Sequence, residues 1–260
     1  MNPLRVVMVA RRFWPLVGGP EKLLANLAVE LCRRGCQVTV LTARWQPHWP
    51  REIQIHGVPV VRLRHTADHG WGNAAYRWRL SRWLRANRHR YDLVYVSQLK
   101  HEAHAAIRAV GRPLPVVLRA ERPGTGGDCQ WQRNAFGGRR VAAACRRAAA
   151  VIAPSVEVEE ELIAAGYPPS IVHLLPNGVP EPLPHTRQTQ LAARAMLAEA
   201  NPELEMPVGA ILAVYTGRLE PGCGLEAAID AWEPIARRRP NARLWLAGDG
   251  SPPHVAGRRR

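Results

Sequence analysis

A glycine–arginine step near the end of the sequence has the residue types of a phosphate-binding site. An apolar run, residues 211–216, stops at Gly217, and Arg218 follows at once. The next loop contains Gly222 and Gly224, and an amphipathic run comes after it. This order predicts a strand, a tight loop and a helix, whose N-terminus leaves backbone N–H groups free to bind phosphate. Arg218 would add a fixed guanidinium fork beside them.

A similar unit opens the chain. The apolar run of residues 6–10 leads to a loop with Gly18 and Gly19, and a helix is predicted from Glu21. The two glycines allow a ligand to approach the backbone closely, although a tight turn before a helix explains them equally well. Two such units, near opposite ends of the sequence, predict two nucleotide-binding folds.

Four more polar side chains follow predicted strands at 92–97 and 115–119. Lys100 and His101 come after the first of these strands, and Arg119 and Glu121 begin a glycine-rich loop after the second. Ligands of open parallel sheets bind at the carboxyl ends of strands, so these side chains are candidates for substrate contacts. The alternatives are a solvated helix start for His101 and a structural ion pair for Arg119 with Glu121.

The elements that must position these residues alternate along the whole chain. Apolar runs of strand length alternate with helical patterns from residue 4 to residue 247, which predicts an α/β fold with parallel sheets and right-handed crossovers. Residues 44–56 are predicted to form a loop. The domain prediction places an N-terminal Rossmann-like domain at 1–180, a proline-containing linker at 181–207, a partial second domain at 208–250 and an aperiodic basic tail at 251–260.

Composition limits the class of protein. The 260 residues are 47% hydrophobic, enough for a core, and carry a net charge of +15 that comes almost wholly from arginine. The five cysteines show no paired metal-ligand spacing, so we expect free thiols and no metal site. Charged residues interrupt every apolar run, so we expect no signal peptide, no membrane span and a cytoplasmic protein.

Three motifs in order resemble those of a known family. They are Phe13-x-Pro15-x-x-Gly18-Gly19-x-Glu21, Leu174-x-Pro176-Asn177-Gly178-Val179, and Gly217-Arg218-Leu219 with Gly224. From about residue 4 to residue 250 the chain resembles the retaining glycosyltransferases of family 4. The resemblance implies a GT-B fold, with two Rossmann-like doubly wound parallel-sheet domains of which the second is incomplete here. It also implies sugar transfer from a nucleotide-sugar with retention and without a metal ion.

The resemblance and the positions after predicted strands together assign roles to the candidate residues. The donor would bind at one set of positions: Gly18, Gly19, Arg218, Gly222, Cys223 and Gly224. His101 and Arg218 would be catalytic, and Lys100, Arg119 and Glu121 would contact the acceptor or the sugar. The acceptor would be a sugar, a lipid-linked molecule or a small molecule, bound by the N-terminal domain.

Two departures from the family pattern define an alternative. Cys223 stands where the family has a lysine that pairs with the donor diphosphate. The family's donor-site glutamates lie further downstream, so we expect a chain truncated in its second domain. An inactive remnant, or a ligand-binding half of such an enzyme, is therefore the alternative to an active transferase.

The arginine content adds two further hypotheses. The basic helix predicted around residues 77–90 could lie on an anionic membrane surface, making the protein peripheral to the inner face of the membrane; a solvated arginine face is the other explanation. A nucleic-acid-binding Rossmann protein fits the net charge, but no helix-turn-helix, zinc or aromatic-sheet motif accompanies it. A dinucleotide-binding dehydrogenase is not favoured, since no Gly-x-Gly-x-x-Gly follows the first strand.

Overall fold

The structure is a computed structural model that describes most of the chain. It covers residues 2–65, 70–111, 114–179, 181–182, 184–206, 209–217, 219 and 224–248, with the backbone alone at Gly70 and Trp71. The chain divides into two compact units, Met1–Pro180 and Glu181–Arg260.

Strands and helices alternate through both units. The strands are β1 Arg5–Val9, β2 Gln37–Arg44, β3 Glu52–Ile55, β4 Val58–Arg64, β5 Leu93–Ser97, β6 Val116–Arg119, β7 Ala150–Ala153, β8 Val172–Leu174, β9 Leu212–Thr216 and β10 Arg243–Ala247. The helices are α1 Gly19–Arg33, α2 Gly70–Ala86, α3 His101–Val110, α4 Asp128–Asn134, α5 Gly138–Cys145, α6 Val156–Ala164, α7 Arg187–Ala200 and α8 Leu225–Arg238.

The first unit is built on an eight-stranded sheet of order β3-β4-β2-β1-β5-β6-β7-β8. All neighbouring strands are parallel except the β3–β4 pair. The chain builds outward from β1 to β2 on one side and then returns to place β5 on the other. The direction of winding therefore reverses between β1 and β5, where ligands of such sheets bind.

The apolar strands are buried on both faces of this sheet. In β1, Val7 and Val9 belong to one buried cluster, and Val6 and Met8 belong to the opposite one. Successive side chains of a strand point to opposite faces, so an uninterrupted apolar run is what a doubly covered strand requires.

The prediction of a loop over residues 44–56 is wrong for its second half. Residues Glu52–Ile55 form β3, an edge strand antiparallel to β4. The turn between them consists of His56 and Gly57, both with positive φ (50° and 79°). A two-residue turn of this kind matches the twist of a β-hairpin, and the alternation in Glu-Ile-Gln-Ile was the available signal.

The second unit contains β9, α8 and β10, with the two strands paired in parallel. Residues 181–207, predicted as a linker, include α7, whose first turn is capped by Thr186 and Thr189 in a reciprocal capping box. The predicted tail at 251–260 lies outside the described residues.

Candidate functional site

A cleft of about 700 Å³ lies in the first unit, where the winding of the sheet reverses. Loops after β1 and β5 meet there with α2, α4 and the start of α5. The lining residues are Arg11, Asn73, Arg77, Gln98, Lys100, His101, Glu102, His104, Trp131, Ala135, Phe136, Gly137, Arg140 and Val141. Two of the sequence-predicted site residues, Lys100 and His101, are among them.

Arg11, directly beyond β1, organises one wall of the cleft. Its guanidinium group donates to Glu102 Oε1 at 3.2 Å and to the amide oxygen of Asn73, and its Nη2 lies 3.1 Å from Nε2 of His65. The same group lies 5.6 Å from the ring centroid of Trp45. Glu102 is only 6% exposed, so Arg11 supplies the counter-charge that a buried carboxylate needs. Sequence reasoning did not identify Arg11 or Asn73, which come together only across the fold.

His101 is the first residue of α3 and faces the cleft half-buried. Its ring meets that of Trp131 edge to face, with centroids 4.9 Å apart and an angle of 89° between the planes. Burial, and then the positive charge of Arg77, lower the pKa of His101 below its ordinary 6.5, against the opposing charge of Glu102. The imidazole is therefore neutral near neutral pH and can either accept or donate a hydrogen bond.

Lys100 and Glu121 meet beside His101. Nζ of Lys100 lies 3.9 Å from Oε2 of Glu121, and the same oxygen accepts a hydrogen bond of 2.8 Å from Nε2 of Gln98. Gln98 has a positive φ of 79°, which is uncommon for a residue other than glycine. Its backbone N–H donates to the carbonyl of Arg119 at 2.9 Å, so the ends of β5 and β6 hold this conformation.

A buried carboxylate fixes the two loops that carry these side chains. Asp128, 2% exposed, accepts hydrogen bonds from the backbone N–H of Leu99 (3.0 Å) and of Glu121 (2.7 Å). Gln132, one turn further along α4, donates to the Leu99 carbonyl at 2.7 Å. Burial raises the pKa of Asp128, although both N–H donors favour its charged form. Sequence reasoning missed Asp128; the only signal was an acidic residue directly after Gly126-Gly127.

Arg119 is not among the residues that line this cleft. It is the last residue of β6, 7% exposed, and its guanidinium group donates to the amide oxygen of Asn177 in the Pro176-Asn177-Gly178 turn. The preceding Leu118 packs in the same buried cluster as Val9, and strand side chains alternate between faces. The Arg119 side chain therefore bonds to the turn that follows β8 and does not line the cleft with Lys100 and His101.

Gly18 and Gly19 lie at the N-terminus of α1. Gly18 is extended and has no side-chain cap, and the Glu21 carboxylate beside it pairs with Nε of Arg12 at 3.3 Å. A Cβ atom built on Gly19 would meet no other atom within 4 Å, so the space beside this backbone is open. The N-terminus of α1 is therefore open beside Gly19, whereas the Glu21 carboxylate fills the space beside Gly18.

The remaining candidates belong to the second unit. Gly224 precedes α8 with a φ of 79°, a left-handed conformation that favours glycine. Arg218, Gly222 and Cys223 lie outside the described residues. No cluster of metal-ligating side chains occurs in the described part of the chain, and its four cysteines, Cys32, Cys36, Cys129 and Cys145, are free thiols. No described helix is long and apolar enough to cross a membrane.

Comparison with protein families gives one match. The sequence profile of Glycosyltransferase Family 4 matches residues 17–181, which is more than half of the chain. This range contains the cleft residues from α2 to α5 and the Asn177 turn. A search of curated protein sequences finds no match to the chain.

Several solved glycosyltransferases share the fold. HepE from Anabaena, in complex with UDP and glucose, is 19% identical with a TM-score of 0.63, over 95% of this chain and 62% of that one. Sucrose-phosphate synthase from Thermosynechococcus elongatus is 17% identical with a TM-score of 0.67, over 96% and 63% of the two chains. A UDP-forming trehalose-phosphate synthase from Burkholderia vietnamiensis is 13% identical with a TM-score of 0.61, over 99% and 67%. The first two matches thus span less than two thirds of the solved chains.

These neighbours are GT-B glycosyltransferases, so the fold class expected from the sequence is confirmed. The cleft lies at the carboxyl edge of a Rossmann-like sheet, which is where such sheets bind their ligands.

Proposed function

Because the chain belongs to Glycosyltransferase Family 4, we propose that it transfers a sugar from a nucleotide-sugar to an acceptor hydroxyl, with retention at the anomeric carbon. The nucleotide-sugar is the co-substrate, and the proposed reaction uses no metal ion. One observation carries the proposal: a neutral, half-buried His101 faces a cleft of about 700 Å³ where the winding of the sheet reverses.

The acceptor is proposed to bind in this cleft. Lys100 and Glu121 form a mixed-charge pair that suits sugar hydroxyl groups, since one offers donors and the other accepts. Trp131 presents an aromatic surface beside His101, and sugar rings pack on such surfaces through their apolar C–H faces. His101 is proposed to hydrogen-bond the transferred sugar or the attacking hydroxyl, while Arg119 contributes indirectly by holding the Asn177 turn.

The donor diphosphate is assigned to two backbone sites and one side chain. Arg218 and the N-terminus of α8, entered through Gly222, Cys223 and Gly224, are proposed for the second unit. Gly18 and Gly19 at the start of α1 are proposed for the first unit, because the space beside Gly19 is open. UDP-glucose is the donor to test first, since HepE was solved in complex with it.

The proposed step breaks the bond between the anomeric carbon and the leaving phosphate oxygen. The acceptor oxygen bonds to the same face of that carbon, and its proton passes to the leaving phosphate. No separate base is required, so the protein's part is to orient the acceptor and to stabilise the charge that develops on the diphosphate.

The test is UDP release from UDP-glucose, measured with a panel of sugar, sugar-phosphate and lipid-linked acceptors. We expect acceptor-dependent release by the intact chain and a large loss in Arg218→Ala. Arg238→Ala is the matched control, because Arg238 is an exposed arginine of the same unit at the end of α8. Equal turnover in both variants would remove the Arg218 assignment, and no release with any acceptor would contradict the proposed activity.

Cys223 supports a second candidate, a protein that binds the ligands without transferring sugar. A thiol offers no fixed cation at the position where the family's lysine pairs with the diphosphate. The two candidates separate when calorimetric binding of UDP is measured beside turnover. Binding without turnover supports the second candidate.

A peripheral contact with an anionic membrane is proposed for the outer face of α2. Trp78 is 59% exposed, and the guanidinium group of Arg82 lies 5.4 Å from its ring centroid. The opposite face buries Tyr76, Leu80 and Leu84 in the protein, so the side left for a membrane is the exposed one, with Trp78, Arg82 and Arg85. The test is sedimentation of the protein with anionic vesicles. We expect the wild type to sediment with them and the Trp78→Ala variant to remain in the supernatant.

A further inference from the structure

A second cleft lies between α3 and α5 and shares only His104 and Arg140 with the lining of the proposed acceptor cleft. It measures about 800 Å³ and runs toward the amino ends of β6 and β7. Its floor is apolar, formed in part by Ile107, Leu114 and Val116, and its rim carries Arg108, Arg140 and Arg147. We name this cleft the α3–α5 groove.

The rim of the α3–α5 groove is positively charged. None of its lining residues is acidic. Among the described residues, the guanidinium groups of Arg108, Arg140 and Arg147 make no hydrogen bond or ion pair, in contrast to Arg11, which is bound to Glu102. The carboxylate of Glu102, on α3, is buried in that pair and does not neutralise the groove.

The pKa of His104, which lines the groove, is lowered by burial and in part by the charge of Arg108. His104 lines both the groove and the acceptor cleft. Burial lowers its pKa first, and the positive charges of Arg108 and Arg77 lower it further. Of these charges, Arg108 belongs to the rim of the groove, so the rim acts electrostatically on a side chain that also lines it.

We propose that the α3–α5 groove binds a phosphate ester, with the phosphate on the three arginines and the organic group on the apolar floor. Guanidinium groups match phosphate oxygens through paired N–H donors, and the groove offers three of them without a competing carboxylate. Such an ester is either a soluble metabolite or the headgroup of an acidic phospholipid, and both present the same chemistry. The site does not depend on the proposed sugar transfer.

The test uses the full chain and the double variant Arg108→Gln with Arg147→Gln, because these two arginines line only the groove. The matched control is Arg51→Gln with Arg139→Gln, which removes the same charge from two exposed arginines. Arg139 is the neighbour of Arg140 on α5 but does not line the groove. A third double variant, Arg82→Gln with Arg85→Gln, reports on the outer face of α2.

Two probes distinguish the sources of phosphate. Glycerol 3-phosphate is titrated calorimetrically, and vesicles of phosphatidylglycerol with phosphatidylcholine are compared with vesicles of phosphatidylcholine alone. We expect at least one probe to bind the wild type and the control alike, with at least a tenfold loss, about 1.4 kcal/mol, in the groove variant. Loss for glycerol 3-phosphate without loss for the anionic vesicles assigns a soluble ester, and loss for the anionic vesicles assigns a lipid headgroup.

Three results would overturn the proposal. They are binding of neither probe by the wild type, equal weakening in the groove and control variants, and vesicle binding that only the α2 variant weakens. The double variant Arg108→Lys with Arg147→Lys guards against a folding defect, since it keeps the charge but loses the paired donors, and its affinity should lie between those of the wild type and the Gln variant. Thermal unfolding of each variant is recorded beside the titrations, and we expect no change because these side chains are exposed.

Discussion

The backbone N–H of Leu99 donates to Oδ1 of Asp128 over 3.0 Å, in the interior of the first unit. The other carboxylate oxygen of Asp128 accepts from the N–H of Glu121. One side chain at the start of α4 therefore sets the distance between the loop that presents Lys100 and His101 and the loop that presents Glu121. The positions of Lys100, His101 and Glu121 in the candidate site therefore depend on the buried carboxylate of Asp128.

Replacing Asp128 with Asn should loosen both loops. The asparagine amide has one acceptor oxygen and one NH₂ group. One of the two backbone N–H donors, that of Leu99 or that of Glu121, therefore loses its acceptor. We expect a loss of about 1–3 kcal/mol in unfolding free energy, together with a higher acceptor KM. Urea denaturation and UDP release measure the two effects. Glu160→Gln, an exposed change on α6, is the control, and an unaltered unfolding free energy for Asp128→Asn would show that the two bonds contribute nothing.

The pH dependence of turnover should report on His101. Its pKa lies below 6.5 through burial and the nearby Arg77 and Arg11, with Glu102 acting in the opposite direction and His104 alongside. The imidazole is neutral above that lowered pKa and gains a proton as the pH falls through it. We therefore expect turnover to be constant near neutral pH and to decline only at acid pH.

The assignment of this acid decline needs two variants. His101→Asn should lower turnover and remove the decline, whereas His104→Asn should keep it, although His104 lines the same cleft and also has a lowered pKa. A pH–rate profile of the three proteins separates these outcomes. The same decline in His101→Asn would assign the titration to another group.

The ion pair between Arg5 and Asp92 should give the first unit an acid-sensitive contact. Arg5 donates to both carboxylate oxygens through its side chain (2.6 and 3.1 Å) and lowers the pKa of Asp92 from 3.8 to about 2. Because the pKa is lower in the folded state, the stabilisation is present above 3.8 and is lost as the pH falls toward 2.

The measurement compares unfolding free energies of wild type and Asp92→Asn across this range. We expect the wild type to have the larger unfolding free energy above pH 3.8, and the difference between the two proteins to shrink as the pH falls toward 2. The pair is partly exposed, so salt should reduce the difference as well. A difference that is independent of pH would mean that the charge of Asp92 does not contribute.

Replacing Cys223 with Lys should raise turnover if the chain transfers sugar. The lysine would add a cation at the position that the family uses for the donor diphosphate, and such a charge contributes roughly 2–4 kcal/mol to transition-state stabilisation. Cys223→Ser is the neutral control of similar size. The readout is kcat for UDP release, and equal kcat values for the Lys and Ser variants would show that the cation is not used here.

The Gln98 conformation illustrates what could not be read from the sequence. Nothing in a glutamine between Ser97 and Leu99 signals a φ of 79°. The conformation is held by bonds from its backbone and side chain to Arg119 and Glu121, residues that β6 brings alongside β5. The sequence did predict that both strands exist and that polar side chains follow them.

Arg119 shows what strand register adds to a prediction from sequence. From the sequence it belonged with Lys100 and Glu121 as a set of acceptor contacts. The register of β6 places it away from the cleft, bonded to Asn177, because neighbouring residues of a strand face opposite sides. Its role as an acceptor contact stays a prediction, and its position favours support of the Asn177 turn.

By itself, the sequence determined the alternation of strands and helices, the carboxyl-edge loops and the family motifs, because periodicity and local turn residues act over a few positions. Only the tertiary structure decided that Asp128 joins two loops, that Arg11 pairs with Glu102 and that three arginines border one groove. These relationships depend on strand order, register and the packing of helices on one face of the sheet. Such long-range contacts are fixed by the burial of the whole core and not by any local pattern.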